Sequence, residues 1–113
     1  MSRHDDDVRL RHMLDHAREA VSLVKAKKRQ DLEADRVLQL ALVRLIEIVG
    51  EAAARVSKDF QFRHPQIPWP QIVGTRNRLI HGYDIIDLDI LWQTTTEDLP
   101  ALIAELSQVV PRE

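Results

Sequence analysis

Cysteine is missing from the chain, which removes disulfides, thiolate metal sites and a cysteine nucleophile, and fits a reducing cytoplasm. Only 3 glycines and 5 prolines punctuate 113 residues. Nowhere do β-branched and aromatic residues alternate with polar ones over a strand-length window, so no sheet is expected. Aromatics are few as well, at 4%, and Trp69 and Trp92 read more readily as core or interface anchors than as platforms for stacked bases. An excess of one charge is also lacking: 16 Lys plus Arg stand against 18 Asp plus Glu, for a formal net charge of -2. No molecule-wide basic field draws the protein to nucleic acid or membrane, so phosphate recognition has to come from a local cluster. The longest apolar-rich stretch, Val37 to Val49, is interrupted by Gln39, Arg44 and Glu47 and is too short to span a bilayer. The opening MSRHDDD is polar and acidic, unlike a signal peptide. These exclusions point to a soluble cytoplasmic protein folded as a single domain over residues 1–113, burying about two-thirds of its unfolded surface.

What the chain does contain is helical periodicity. Leu10, Met13, Leu14, Ala17, Ala20, Val21 and Val24 share one face of a first helix. Asp5 to Asp7 suit its positive end, and Lys25, Lys27, Lys28 and Arg29 its negative end. Asp31 is placed to cap a second helix reaching about Lys58, with the stripe Leu38, Leu42, Leu45, Ile46, Val49, Ala52, Ala53 and Val56. Leu40 and Val43 lie off that stripe and suggest a second packing partner, another subunit being one candidate. Gly50 and the alanines at 52 to 54 allow a neighbouring backbone to approach closely. Phe60 to Trp69, with Pro65 and Pro68, is the expected loop. Pro70 opens a third helix that Gly82 stops, and Asp87 caps a last helical stretch running to Val110. Pro100 predicts a kink or break near Thr96 to Leu99. The sum is an all-α, up-down bundle of four to five helices.

One stretch of the third helix, RNRLIHGY at residues 76–83, breaks the pattern. At about 100° per residue, Ile72, Val73, Leu79, Ile80 and Tyr83 share a face, and Arg76 falls about 40° from Ile72, on the buried side. His81 falls about 180° away, with Asn77 at i-4 and Arg78 at i-3 beside it. A buried guanidinium requires acceptors. Glu47 and Glu51, four residues apart on the second helix, are candidates for orienting Arg76 or Arg78. A purely structural reading makes Arg76 a stitch between two helices. A chemical reading uses a histidine that exchanges protons near neutrality and arginines that hold a phosphate bidentately. RNA brings its own nucleophile, the 2′-OH, so cleavage asks for positioning, proton transfer and a cation.

Other chemistries fit less well. No Glu is followed three residues later by His, as a di-metal helical bundle needs. There is also no H-E-x-x-H and no glycine-rich phosphate loop, so neither a metal nor another cofactor is expected. His4, His12, His16 and His64 are scattered and read as surface residues.

The spacing R-N-x-x-x-H-x-Y, carried by Arg76, Asn77, His81 and Tyr83, resembles the signature of HEPN-domain proteins, in particular the HepT-like toxins of MNT–HEPN toxin–antitoxin systems. The resemblance extends through RLRHMLDHAREA, DLEADRVLQLALVRLIEIVGEAAARVS and IPWPQIVGTRNRLIHGYDIIDLDILWQTTTEDLPALIAEL. It implies a helical bundle that dimerises through its motif helices, with a shared cleft that cuts RNA without metal. Arg76 and His81 match the catalytic positions, while Asn77, with Arg78 beside it, supports the cleft. Tyr83 matches the tyrosine that the cognate nucleotidyltransferase antitoxin modifies with AMP taken from ATP. A competing expectation is a non-catalytic binding or antitoxin-like partner whose motif is a structural interface. A small-molecule-binding bundle is a third class, for which the sequence carries no dedicated signature.

Overall fold

The computed structural model describes residues 3–111. Helix α1 spans Arg3–Val24, and Leu10, Met13, Leu14, Ala17, Ala20 and Val24 are buried at the spacing expected of one helix face. The basic residues assigned to its last turn lie just beyond it. Asp6, in its first turn, is 5% exposed and accepts hydrogen bonds from Ser57 N at 2.8 Å and Ser57 Oγ at 2.6 Å, fixing α1 to a distant turn.

The second helix is two helices, α2 (Arg29–Ala34) and α3 (Arg36–Arg55). Asp31 does not cap the long one. Its carboxylate accepts Lys28 N–H at 2.7 Å within α2, while Asp35 leaves the helical conformation and accepts Leu38 N–H at 3.0 Å as the N-cap of α3. Both aspartates have the chemistry of a cap, so composition alone does not choose between them. Gln39 fastens the junction: buried, it donates through Nε2 to Leu32 O at 2.9 Å.

Helix α3 ends at Arg55, short of the expected Lys58, because Ser57 accepts Phe60 N–H at 3.2 Å and opens a further turn, α4 (Lys58–Arg63). The irregular segment therefore begins at His64, not Phe60. Phe60 stacks on His64 with ring centroids 4.2 Å apart and meets Trp69 edge-on, and Trp69 Nε1 donates to His64 O at 3.0 Å. Trp69 is thus the core anchor expected of it, and Trp92 is partly buried against the core.

Helix α5 (Trp69–Leu79) carries Pro70 in its first turn, where a missing N–H breaks no helical bond. It lies against α3, whose Gly50 admits a close backbone approach: an added Cβ there would stand 3.2 Å from Ile72 O. The helix stops at Leu79, before the expected Gly82. Strands β1 (Ile80–His81) and β2 (Ile85–Ile86) pair antiparallel, Ile80 opposite Ile86 and His81 opposite Ile85. Gly82 reverses the chain at φ +68°, and Asp87 N–H closes it onto Leu79 O at 2.7 Å. This hairpin corrects the expectation of no sheet. Strands of two residues offer no period to detect, although β-branched Ile80, Ile85 and Ile86 suit them.

The remainder is one continuous run: α6 (Leu88–Gln93), a π-helical turn (Thr94–Asp98) and α7 (Leu99–Val109). Asp87 caps it as expected. The disturbance expected from Pro100 is the π turn, in which Leu99 N–H reaches back to Thr94 O, five residues away. The helices enclose a core that includes Leu42 and Val49 from α3, Leu79 from α5, Leu91 from α6, and Leu102 and Leu106 from α7. The architecture is the small all-α bundle expected, with the hairpin added. Among the described residues no helix is long and apolar enough to cross a membrane.

Candidate functional site

Arg76 is not buried within this chain: its side chain is 55% exposed. The buried residues of α5 are Trp69, Thr75 and Leu79, and on the wheel Arg76 falls between half-covered Ile72 and buried Trp69. Its long side chain nevertheless carries the guanidinium out from that face to the surface. The expected carboxylate partner is present. Arg76 Nε donates to Oε2 of Glu47, whose side chain is only 20% exposed. Among the described residues neither terminal nitrogen of Arg76 has a hydrogen-bond partner, so the fork that grips a phosphate is free.

The second candidate glutamate is engaged elsewhere. Arg44 Nη1 lies 3.8 Å from Glu47 Oε1 and 3.5 Å from Glu51 Oε1, giving a row of alternating charge, Glu51–Arg44–Glu47–Arg76, along the α3–α5 seam. Glu51 therefore orients neither Arg76 nor Arg78. On the outer face of α3, Val37 and Leu40 continue the line of Arg44 and Glu47 at helical spacing and are exposed, as is Val73 of α5. Val43, also off the main stripe, is buried inside the chain. A shallow groove of about 160 Å³ follows this seam past Gly50, Val73 and Arg76.

Arg78 points about 200° away from Arg76 around α5. Its Nη2 donates to Thr75 Oγ1 at 3.1 Å and weakly to Gln71 O at 3.5 Å, beside a separate recess of about 420 Å³ bounded by α3, α5, the π turn and α7. Arg78 and Arg76 thus face different cavities. The expected single surface of Asn77, Arg78 and His81 does not form as drawn, because His81 lies in β1, where a helical wheel no longer applies. Asn77 is exposed on the last turn of α5.

His81 is exposed, and its Nε2 lies 3.2 Å from Asp87 Oδ2. Asp87 is held from three directions: its N–H by Leu79 O, its Oδ1 by Ile90 N–H at 3.1 Å, and its Oδ2 by the histidine. The Ile90 N–H first, then the His81 hydrogen bond, hold its carboxyl below the usual carboxylate range. Because an ionised carboxylate only accepts, Nε2 carries the hydrogen and Nδ1 is left as the ring's basic nitrogen. Sequence reasoning saw in Asp87 only a cap. The partner of His81 six residues on matches no helical spacing, and the available signal was Gly82, which can reverse the chain. Tyr83 sits at the hairpin tip, 92% exposed, not inward as the wheel placed it. Arg76 and His81 do not bond to each other; they flank the end of α5, whose Arg76 carbonyl accepts Ile80 N–H.

The other histidines stay apart from this site. His4 and His12 are exposed, and His16 and His64 partly covered. Among the described residues no group of three or more His, Asp or Glu is arranged to hold a metal ion.

The family model described as "Ribonuclease HepT-like" matches residues 13–109. A protein provisionally named ribonuclease HepT from Thermococcus cleftensis is 38% identical over 93 residues, covering 79% of this chain and 84% of its own. A provisionally named RNase from Caldanaerobacter subterraneus is 34% identical over 104 residues, covering 92% and 93%. Another from Methanocaldococcus jannaschii is 33% identical over 109 residues, covering 96% of this chain and 100% of its own. No solved structure gives a significant match.

Proposed function

The chain belongs to the HepT-like ribonuclease family, and from that membership we propose that it is an endoribonuclease toxin acting through Arg76 and His81. The observation that carries this reading is the end of α5, where an arginine with its fork unengaged and a histidine backed by a carboxylate emerge within six residues. In the reaction, His81 takes the proton of a ribose 2′-OH, whose oxygen attacks the adjacent phosphorus. Arg76 stabilises the negative charge that gathers on the non-bridging oxygens. The bond to the 5′-oxygen breaks, and that oxygen takes a proton, leaving a 2′,3′-cyclic phosphate and a 5′-hydroxyl. A homodimer closing over the α3–α5 seam supplies two copies of the pair, one imidazole as base and one imidazolium as acid. Asn77 supports the cleft and Glu47 orients Arg76. The steps are positioning, proton transfer and charge stabilisation, and they call for no metal.

Regulation falls to a nucleotidyltransferase antitoxin. The Tyr83 hydroxyl, fully accessible at the hairpin tip, attacks the α-phosphorus of ATP, loses its proton and releases pyrophosphate. The adenylate adds bulk and negative charge two residues from His81 and repels RNA.

Wild type, His81→Ala and Arg76→Ala compared on RNA in EDTA test the catalytic reading. Losing the proton-transfer group should lower the rate about 10²- to 10⁴-fold, and losing the cation about 10²- to 10³-fold. Equal cleavage by His81→Ala, or a requirement for Mg²⁺, overturns it. The competing reading, a non-catalytic binding partner, draws on one observation: Glu47 neutralises Arg76. Growth unaffected by overexpression supports that alternative, whereas arrest rescued by a co-expressed nucleotidyltransferase supports the toxin.

A further inference from the structure

We propose that Asp87 is a positioning residue for His81: by accepting the Nε2 hydrogen it fixes the imidazole's tautomer and leaves Nδ1 as the nitrogen that takes the proton from the RNA 2′-OH. The inference rests on the ribonuclease reading above and deepens it. Three features carry it. Among the described residues Asp87 is the one side chain hydrogen-bonded to the His81 ring. Its position is over-determined, since Ile90 N–H holds Oδ1 at 3.1 Å and Leu79 O holds its backbone N–H at 2.7 Å, so Oδ2 is a fixed acceptor. The backbone of the histidine is held too, because β1 pairs His81 with Ile85 across the Gly82 reversal. A pre-set acceptor against one ring nitrogen spares the imidazole the choice between two tautomers before each turnover.

The arrangement also explains why a two-residue hairpin interrupts the helical bundle at this point. Had α5 continued through His81, residue 87 would lie six positions along the same helix, about 9 Å away along its axis at 1.5 Å per residue. The reversal at Gly82 folds that distance to a hydrogen bond. Cap and positioning roles use different oxygens of one carboxylate, which makes them separable by substitution.

Asp87→Asn retains an oxygen for Ile90 N–H but turns an NH₂ toward Nε2, which favours the opposite tautomer. Asp87→Ser retains a good helix cap while removing the histidine's partner. The experiment measures kcat and KM on a defined RNA for wild type, both Asp87 variants and His81→Ala. In parallel, ¹⁵N–¹H spectra of the imidazole show which nitrogen carries hydrogen. The expected result is a fall in kcat of roughly tenfold or more in both Asp87 variants, KM within about twofold, and loss of the Nε2–H tautomer in Asp87→Asn. Folding is checked by circular dichroism; where Asp87→Asn unfolds, Asp87→Ser decides alone. Unchanged kcat with an unchanged tautomer in a folded variant overturns the role of Asp87 while leaving the ribonuclease reading intact. If His81→Ala cleaves as well as wild type, it is the ribonuclease reading that fails.

Discussion

Asp87 ties stability to pH through two bonds that only its ionised form accepts well. Its folded-state pKa lies below the ordinary 3.8, because of Ile90 N–H and then His81. A carboxyl depressed in this way contributes stability above the unfolded value and loses it as pH falls through the folded one. The melting-temperature advantage of wild type over Asp87→Asn should therefore be present at pH 5 and shrink below about 3.8, as thermal unfolding across that range will show. Glu47 makes a different prediction. Arg76 is half exposed, so the ion pair stabilises the fold by less than about 1 kcal/mol, and Glu47→Gln should melt close to wild type. Its turnover should nevertheless drop several-fold, because Nε of Arg76 loses its anionic anchor; rates compared with melting temperatures separate the two effects. The Arg76 partner was legible in the sequence because Glu47 sits on the one polar face of an otherwise apolar helix. Asp87 as a partner of His81 was not, because that contact exists only after the chain reverses.

The elements were legible wherever a period or a proline marked them. The apolar faces of α1 and α3, Pro70 at the start of α5 and the disturbance before Pro100 all appear as expected. Boundaries set by competing caps were not, since the same side chain serves two positions: Asp31 accepts Lys28 N–H three residues before it, and Asp35 accepts Leu38 N–H three residues after it. The close approach of α3 and α5 at Gly50 was expected from the cluster of small residues, and its 3.2 Å clearance to Ile72 O is backbone against an incoming side chain. Gly50→Val should destabilise the protein by about 1 to 3 kcal/mol through overpacking, read as a lower denaturant midpoint. Because Arg76 and Glu47 bridge the same seam, cleavage should weaken even at temperatures where this variant is folded.

On the molecular scale the net charge of -2 leaves RNA affinity to local groups, and the α3–α5 seam presents both charge and exposed apolar surface. Val37, Leu40 and Val73 are 76%, 50% and 45% exposed beside Arg44, Glu47 and Arg76, a combination suited to a second copy of the chain. Under the proposed dimer this seam would be covered, and Arg76, 55% exposed in the single chain, with it. Leu40→Asp should shift the mass in solution from dimer toward monomer and reduce cleavage with it, as light scattering and activity measured at matched concentrations will show.

The most direct test of RNA cleavage by 2′-OH attack at Arg76 and His81 is a defined oligonucleotide carrying one 2′-deoxy nucleotide at the cleavage site, incubated with wild-type protein in EDTA. Cleavage by 2′-OH attack predicts that the all-ribose strand is cut to a 2′,3′-cyclic phosphate and a 5′-hydroxyl, that the substituted strand stays intact at that position, and that His81→Ala cuts neither. Cleavage of the deoxy-substituted strand at an equal rate would contradict it.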